Sequence, residues 1–330
     1  MLTALDHIII GVNDLEQATN IFSQKLGLAI SGGGIHPSGG TANRIIVIGD
    51  TYLELIAVRT PAEAQQSMLE RLTRGDGYLN FVLSSNDIEA DSAAMARRGV
   101  SVIGPTPGQL KAPDGHTRGW SRTDVERPDL TQHYPFVIQH DSAGEERRFR
   151  LAGWSEPPRH PLGAMKVLSA AIAVADLSEA ARRFAHIYGL SATEAFTGDA
   201  DAWEAMLVAF PFVESGQSFE LAEPLPLADP DPAYPTYPVY PVGARFTLAR
   251  LPGSLLPEPG ALSAHLQTFG ESLCRITLAV VNLEESRRYL DEHEVTYMYD
   301  RRGEVHPRPV LWILPDQACG AAIVLHEAIN

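Results

Sequence analysis

The sequence predicts an α+β fold made of four βαβββ units in two pairs, and three observations carry that prediction. The first is Asp6-His7-Ile8-Ile9-Ile10-Gly11-Val12-Asn13-Asp14-Leu15, which alternates faces like a strand and runs into a helical spacing of apolar residues. The second is the return of the same order 73 residues later, with Asn13 answered by Asn86 and Asp14 by Asp87. The third is its return at a shift of 162, with Phe22 answered by Phe184 and Gly27 by Gly189. Internal repetition of this kind reports on architecture in a way composition alone does not.

In unit one, Asn13 or Asp14 caps a helix through Leu15, Ala18, Ile21, Phe22 and Leu26, whose spacing gives one apolar face, and Gly27 ends it. A short strand is predicted near Leu28 to Gly32, then a glycine-rich loop to Asn43, then strands at Arg44 to Ile48 and Thr51 to Val58. Unit two begins at Tyr78, has a helix through Ile88, Ala93, Met95 and Ala96, and places strands near Ser101 to Ile103, His116 to Thr123 and Phe136 to His140. These units, residues 1–60 and 77–142, make a first domain over 1–144. Residues 145–164, charged and then proline-rich, read as a linker with Pro157-Pro158-Arg159-His160-Pro161 as its stiffest part.

Residues 165–330 read as a second domain, with units at 165–225 and 271–330. Val167 to Val174 is its opening strand, Asp176 caps a helix, and Trp203 to Phe210 and Gln217 to Ala222 supply later strands. Unit four opens at Ser272 to Val280. Its helix starts after Asn282, and its strands fall near Val295 to Asp300, Val310 to Leu314 and Ala321 to His326. No secondary structure is assigned to the proline- and tyrosine-rich segment 224–241.

The 330 residues carry 26 basic and 41 acidic side chains, a formal charge of -15 that disfavours nucleic acid and anionic membranes as partners. No run approaches the apolar length of a membrane span, and Met1-Leu2-Thr3-Ala4-Leu5 lacks the features of a secretory signal, so a cytoplasmic location is expected. Two cysteines, Cys274 and Cys319, are too few for a disulfide framework and read as buried free thiols. The motifs of serine hydrolases, dinucleotide-binding loops, zinc peptidases and thiol oxidoreductases are missing from the sequence.

His7 on the first strand and Glu54 on the last strand of unit one can point at one place from neighbouring strands. The pair can hold a metal, act as acid and base, or simply satisfy each other's polar groups. His36 sits in the glycine-rich loop with Thr41 and Asn43 as hydrogen-bonding groups. His116, Arg118, Trp120 and Arg122 alternate along one strand; facing inward they form a cationic, aromatic wall suited to a carboxylate or planar substrate, facing outward a solvated edge. His133 is a candidate for the rim.

The Leu5-Asp6-His7-Ile8 start, the Gly34-Ile35-His36 to Gly40-Thr41-Ala42-Asn43 loop and the Tyr52-Leu53-Glu54-Leu55-Ile56 strand resemble the vicinal oxygen chelate superfamily, in its glyoxalase-like branch. The resemblance implies two paired-module domains of the glyoxalase/bleomycin-resistance/dioxygenase type, each with a cupped, mainly antiparallel sheet and functional side chains on the first and fourth strands of its modules. It implies a small-molecule enzyme of lyase, isomerase or dioxygenase type acting on a carbonyl or carboxylate compound in the first cup, with a metal-free sequestration protein as the alternative, and a monomer or homodimer. His7 and Glu54 are the expected catalytic or metal-ligating residues, with Gln139 or His140 as a third ligand, and His36, Asn43, Trp120 and Arg122 the substrate-binding ones. One divalent Fe, Mn, Zn or Ni ion is the expected cofactor. Asn80 stands where the second module would repeat His7. In the second domain, Ser169, Glu220, Arg275 and Val324 occupy the four corresponding positions, so a Glu220–Arg275 ion pair and no metal are expected there.

Overall fold

The computed structural model describes residues 1–31, 33–36, 39–111, 117–126, 134–142, 154–198, 205–225, 261–300 and 309–328. Unit one comprises β1 (Leu2–Gly11), α1 (Leu15–Asn20, continued by a π-helical turn Ile21–Lys25), β2 (Gly34–Ile35), β3 (Thr41–Ile48) and β4 (Thr51–Val58). After α2 (Gln66–Leu72), unit two comprises β5 (Gly77–Ser85), α3 (Ile88–Arg97), β6 (Val102–Lys111), β7 (Thr117–Val125) and β8 (Phe136–His140). Unit three is β9 (Ala164–Ala173), α4 (Leu177–Tyr188), β10 (Phe196–Gly198), β11 (Ala205–Phe212) and β12 (Gln217–Pro224). After α5 (Ala261–Phe269) come β13 (Leu273–Val280), α6 (Leu283–Glu292), β14 (Tyr297–Asp300), β15 (Val310–Ile313) and β16 (Ala322–Glu327).

One short polar side chain starts the repeat's helix in every unit. Asp14, Asp87, Asp176 and Asn282 each accept a hydrogen bond from a backbone N–H in the first turn, which satisfies donors that the helix itself leaves unpaired. Two differences from the sequence reading lie near the site. The strand expected at Leu28 to Gly32 is formed instead at Gly34–Ile35, after Gly33 turns the chain at φ +61. A side chain at Gly33 would put its Cβ 1.9 Å from the Asn43 carbonyl, so the loop closes only on glycine. Helices α2 and α5 were not expected, because one is short and the other adjoins the proline-rich segment, whose residues 226–241 lie outside the described ones.

The strands form two eight-stranded mixed sheets of identical plan, β2-β3-β4-β1-β5-β8-β7-β6 and β10-β11-β12-β9-β13-β16-β15-β14. The units join through antiparallel β1–β5 and β9–β13 pairs, while the first and last strands of a unit run parallel. Alternation gives each sheet two faces. One face of each sheet enters a common apolar core with the helices, in which Phe81 of the first sheet meets Phe219 of the second at 5.8 Å between ring centroids. Gln217 ties the same layers together, accepting from Leu5 N–H and donating to Thr51 Oγ1 and the Val167 carbonyl. The buried hydroxyls of Tyr78 and Tyr188 reach across to the Ala322 and Pro135 carbonyls, and burial holds both phenols well above their usual pKa.

The other faces are the insides of two cups, and they differ. In the second cup small residues (Ala171, Ala173, Ala205, Ala222, Cys274) pack with Trp312 and Val324, and α5 inserts Leu262 among them. The expected Glu220–Arg275 ion pair forms beside this cluster. Burial pushes the Glu220 carboxyl up to about 7 and the Arg275 guanidinium down to about 10. Of the two cysteines, Cys274 is buried as expected, whereas Cys319 sits half-buried in the turn before β16 rather than in a strand. In the first cup Val82, Phe136 and Ile138 pack beside Ile9 and Trp120, and the apolar lining continues through Ile45, Ile56 and Leu79 around an open cavity. No helix among the described residues is long and apolar enough to cross a membrane.

His160, at the end of the proline-rich segment, pins that segment to unit one. Its Nδ1 accepts from Ala29 N–H at 2.9 Å and its Nε2 donates to the Val47 carbonyl at 2.8 Å, so the ring is held neutral in one tautomer, and burial lowers its pKa. The unfolded imidazole titrates near about 6.5, above the folded value. The stability that His160 provides is therefore fully present above about pH 6.5 and lost as pH falls through the lowered folded value. Urea unfolding at stepped pH should show this loss, and His160→Gln should remove about 1–3 kcal/mol at neutral pH and flatten the acid slope. A slope unchanged by the substitution would refute the assignment.

Candidate functional site in the first cup

The first cup encloses about 500 Å³, within the range of small-molecule sites, and its lining includes His7, His36, Asn43, Tyr52, Glu54, Arg71, Trp120, Arg122, Phe136 and His140. The β1–β4 register sets Ile9 opposite Glu54 and His7 opposite Tyr52, which brings the imidazole and the carboxylate to the same floor. Tyr52 stacks on the His7 ring at 4.5 Å and Phe136 meets it edge-on at 6.0 Å, so the imidazole has little freedom to rotate.

A β-bulge completes the arrangement. The β1–β5 register passes from Leu5 opposite Leu83 directly to His7 opposite Val82, leaving Asp6 as the extra residue. Two consecutive residues thereby reach one centre. Fully buried Asp6 accepts from His7 Nδ1 at 2.7 Å, and the same oxygen lies 3.2 Å from His140 Nε2. Asp6 was not singled out from sequence, because alternation places it on the face opposite His7. The signal was its adjacency to a strand histidine, and only a bulge makes that adjacency useful.

Asp6 fixes the proton on Nδ1 of His7 and turns Nε2 towards Glu54, 3.8 Å from Oε2. That gap is too long for a hydrogen bond and leaves space for a reacting atom between the two groups. The other carboxylate oxygen accepts from Asn43 Nδ2 at 2.6 Å and lies 3.5 Å from His36 Nε2. Asn43 is oriented in turn by accepting from Gly34 N–H at 2.8 Å, and His36 Nδ1 pairs with the Thr41 hydroxyl at 2.8 Å. The loop after Gly33 thus supports Glu54.

The remaining expected residues divide. Trp120 and Arg122 both line the cavity, but Arg122 is held by Asp124 through two hydrogen bonds of 2.8 and 2.6 Å and lies over the Phe136 ring at 3.7 Å. Arg122 therefore already has a counter-charge where it lines the cavity. His116, His133 and the side chain of Arg118 lie outside the described residues.

A match to a glyoxalase-like domain spans residues 5–188, more than half of the chain. The chain belongs to the glyoxalase-like family of vicinal oxygen chelate proteins. Solved structures share the fold over nearly the full length. A hypothetical protein from Staphylococcus aureus matches with a TM-score of 0.62 at 12% identity, covering 99% of this chain and 100% of that one. A mutant of 4-hydroxymandelate synthase from Streptomyces coelicolor matches with a TM-score of 0.60 at 11% identity, covering 98% and 92%. Methylmalonyl-CoA epimerase from Streptomyces coelicolor matches 43% of the chain at 20% identity and a TM-score of 0.36, with all of that chain covered. No curated protein matches the sequence.

Within this glyoxalase-like fold the register identifies the equivalents of the His7 and Glu54 positions. Val82 is paired with Phe136 as Ile9 is with Glu54, so Phe136, and neither Gln139 nor His140, takes the fourth-strand position of unit two. Gln139 points elsewhere and binds the Ile88 N–H and the Asn86 carbonyl at the start of α3. Asn80, at the equivalent of His7, is spent on the Tyr134 carbonyl and the Phe81 N–H. Among the described residues no three His, Cys, Asp or Glu side chains are disposed to share a metal ion. A phenyl ring at one ligand position and a committed amide at another leave His7 and Glu54 as an incomplete donor set for Fe, Mn, Zn or Ni.

Restoring the set should restore affinity. The Asn80→His, Phe136→Glu double variant should retain about one equivalent of Zn(II) or Ni(II) after dialysis, against less than about a tenth for the unaltered protein. Elemental analysis measures both, and stoichiometric metal in the unaltered protein would overturn the reading.

Proposed function

We propose that the first cup is the active site of a small-molecule enzyme of isomerase or lyase type, which moves a proton at a carbon beside a carbonyl or carboxylate group. The observation that carries this reading is the Asp6–His7···Glu54 line, in which a buried carboxylate orients an imidazole whose free nitrogen faces a second carboxylate across 3.8 Å. His7 and Glu54 together have room for one mobile proton between them. One group takes the proton from substrate carbon and the pair returns it to the same or a neighbouring atom. Asn43 keeps Glu54 aimed, and His36 Nε2, beside Glu54, is the donor placed for an enolate oxygen. Tyr52, Trp120 and Phe136 supply an aromatic wall that excludes water from the carbanion.

The reading is tested by hydrogen exchange. A panel of oxo-acids and ketones incubated with the protein in D2O should include compounds whose α-carbon hydrogens exchange, as followed by NMR. Glu54→Gln and His7→Ala should each lower that exchange by about 100-fold or more, and Asp6→Asn by a smaller factor through loss of the oriented tautomer. Ligands that bind the cup with no exchange of their α-carbon hydrogens, or with exchange untouched by Glu54→Gln, would replace this reading with sequestration.

A further inference from the structure

Among the described residues, two guanidinium groups line the first cup, and they are in opposite situations. Arg122 is neutralised by Asp124, as described above. Arg71, on α2 between the two units, has no carboxylate within ion-pair distance among the described residues. Its Nη1 donates to the Gly75 carbonyl at 2.8 Å, and its plane lies 4.1 Å from the centroid of Phe269, the last residue of α5 in the second domain. A carbonyl and a ring face orient a guanidinium without matching its charge, and most of its five N–H donors remain unused. Burial, aided by nearby Arg74 and opposed by the charge of Asp76, lowers the group to about 10.

The position of Arg71 is defined by backbone. Gly77 lies under it at φ +147, and a Cβ there would come 2.7 Å from Nη2, so the guanidinium rests on bare main chain. Gly77 pairs with Gly11 at the end of β1, two residues beyond Ile9, the partner of Glu54, and four beyond His7. At about 3.4 Å per residue, the main chain beneath Arg71 is two strand steps, roughly 7 Å, from the backbone level of Glu54 and four steps, roughly 14 Å, from that of His7.

We propose that Arg71 is a specificity-determining residue that binds an anionic group of the substrate, of carboxylate class, at the Gly11–Gly77 end of the cup, with Phe269 as the residue that positions it. The substrate is then an elongated molecule, with a reacting carbon near His7 and Glu54, an apolar or aromatic middle against Tyr52 and Phe136, and a carboxylate at the far end. Planar guanidinium and carboxylate match as a two-bond fork, and Phe269 beneath the plane leaves the edge of the fork to face the ligand. This assignment rests on the reading of the first cup as the substrate site, and it gives the second domain a part in that site.

The test uses binding, so it stays independent of catalysis. ω-Phenylalkanoates of increasing chain length, each paired with its neutral carboxamide, are titrated into the full chain by calorimetry. At the chain length that spans the two ends, the acid should bind about tenfold more tightly than its amide or better. Arg71→Gln should abolish that ratio while leaving amide affinity in place, which also shows that the variant is folded; Arg71→Lys should restore part of it. Phe269→Leu should weaken the acid and spare the amide. If no acid in the series outbinds its amide, or if the ratio survives Arg71→Gln, the assignment is wrong. An acid preference that persists in a protein showing no hydrogen exchange would overturn the catalytic reading alone.

Discussion

Each sheet has two apolar-capable faces, and the fold can bury only one of them in the shared core. Packing one face of each sheet, with its helices, into that core places Phe81, Phe184, Phe210 and Phe219 in one continuous cluster and uses the amide of Gln217 to join both layers. Such an interior is dense and tolerates little change of shape. The consequence lies on the opposite faces, because each cup must then be filled or used. The second is filled by alanines and by Leu262 from α5; the first keeps space around polar side chains. Exposed apolar lining has a cost and buried unpaired polar groups a larger one, so the contrast is itself a functional signal.

Within the first cup the chemistry depends on an irregularity. Regular pairing would place Asp6 and His7 on opposite faces, and His7 would then present whichever nitrogen chance hydrogen bonding selected. One extra residue in β1 lets the carboxylate reach the same centre and fix the tautomer. Neighbouring Phe136 reinforces this. It removes a ligand position, walls the imidazole and carries Arg122 on its face.

The architecture was legible in the sequence because repetition is a property of order, and order survives even where residue types drift. The four helix caps and the shifts of 73 and 162 needed no packing information. The His7–Glu54 meeting was legible for the same reason, being a consequence of alternation on adjacent strands. Three features were not. Asp6 required a bulge, which alternation cannot foresee. Phe136 required the β5–β8 register, which a choice between Gln139 and His140 could not supply when the true equivalent lay three or four residues earlier. Arg71 lies in a connection outside the repeat, so no comparison among modules could point to it.

That last position shows why a filled, degenerate second half is more than ballast. The second cup carries Ser169, Arg275 and Val324 at three of the four corresponding positions and pairs the fourth, Glu220, with Arg275, and this half packs behind the first sheet. Shared burial alone accounts for that. Phe269, though, lies outside the central core, at the end of the helix that plugs the second cup, and its ring faces the guanidinium that borders the first. Arg74 of the same connection donates to the Thr268 carbonyl beside it, so α2 and the end of α5 are held together by two contacts. Filling the second cup with α5 and holding an arginine in the lining of the first are therefore one structural act: the helix that closes one cavity lays its last ring against a guanidinium of the other.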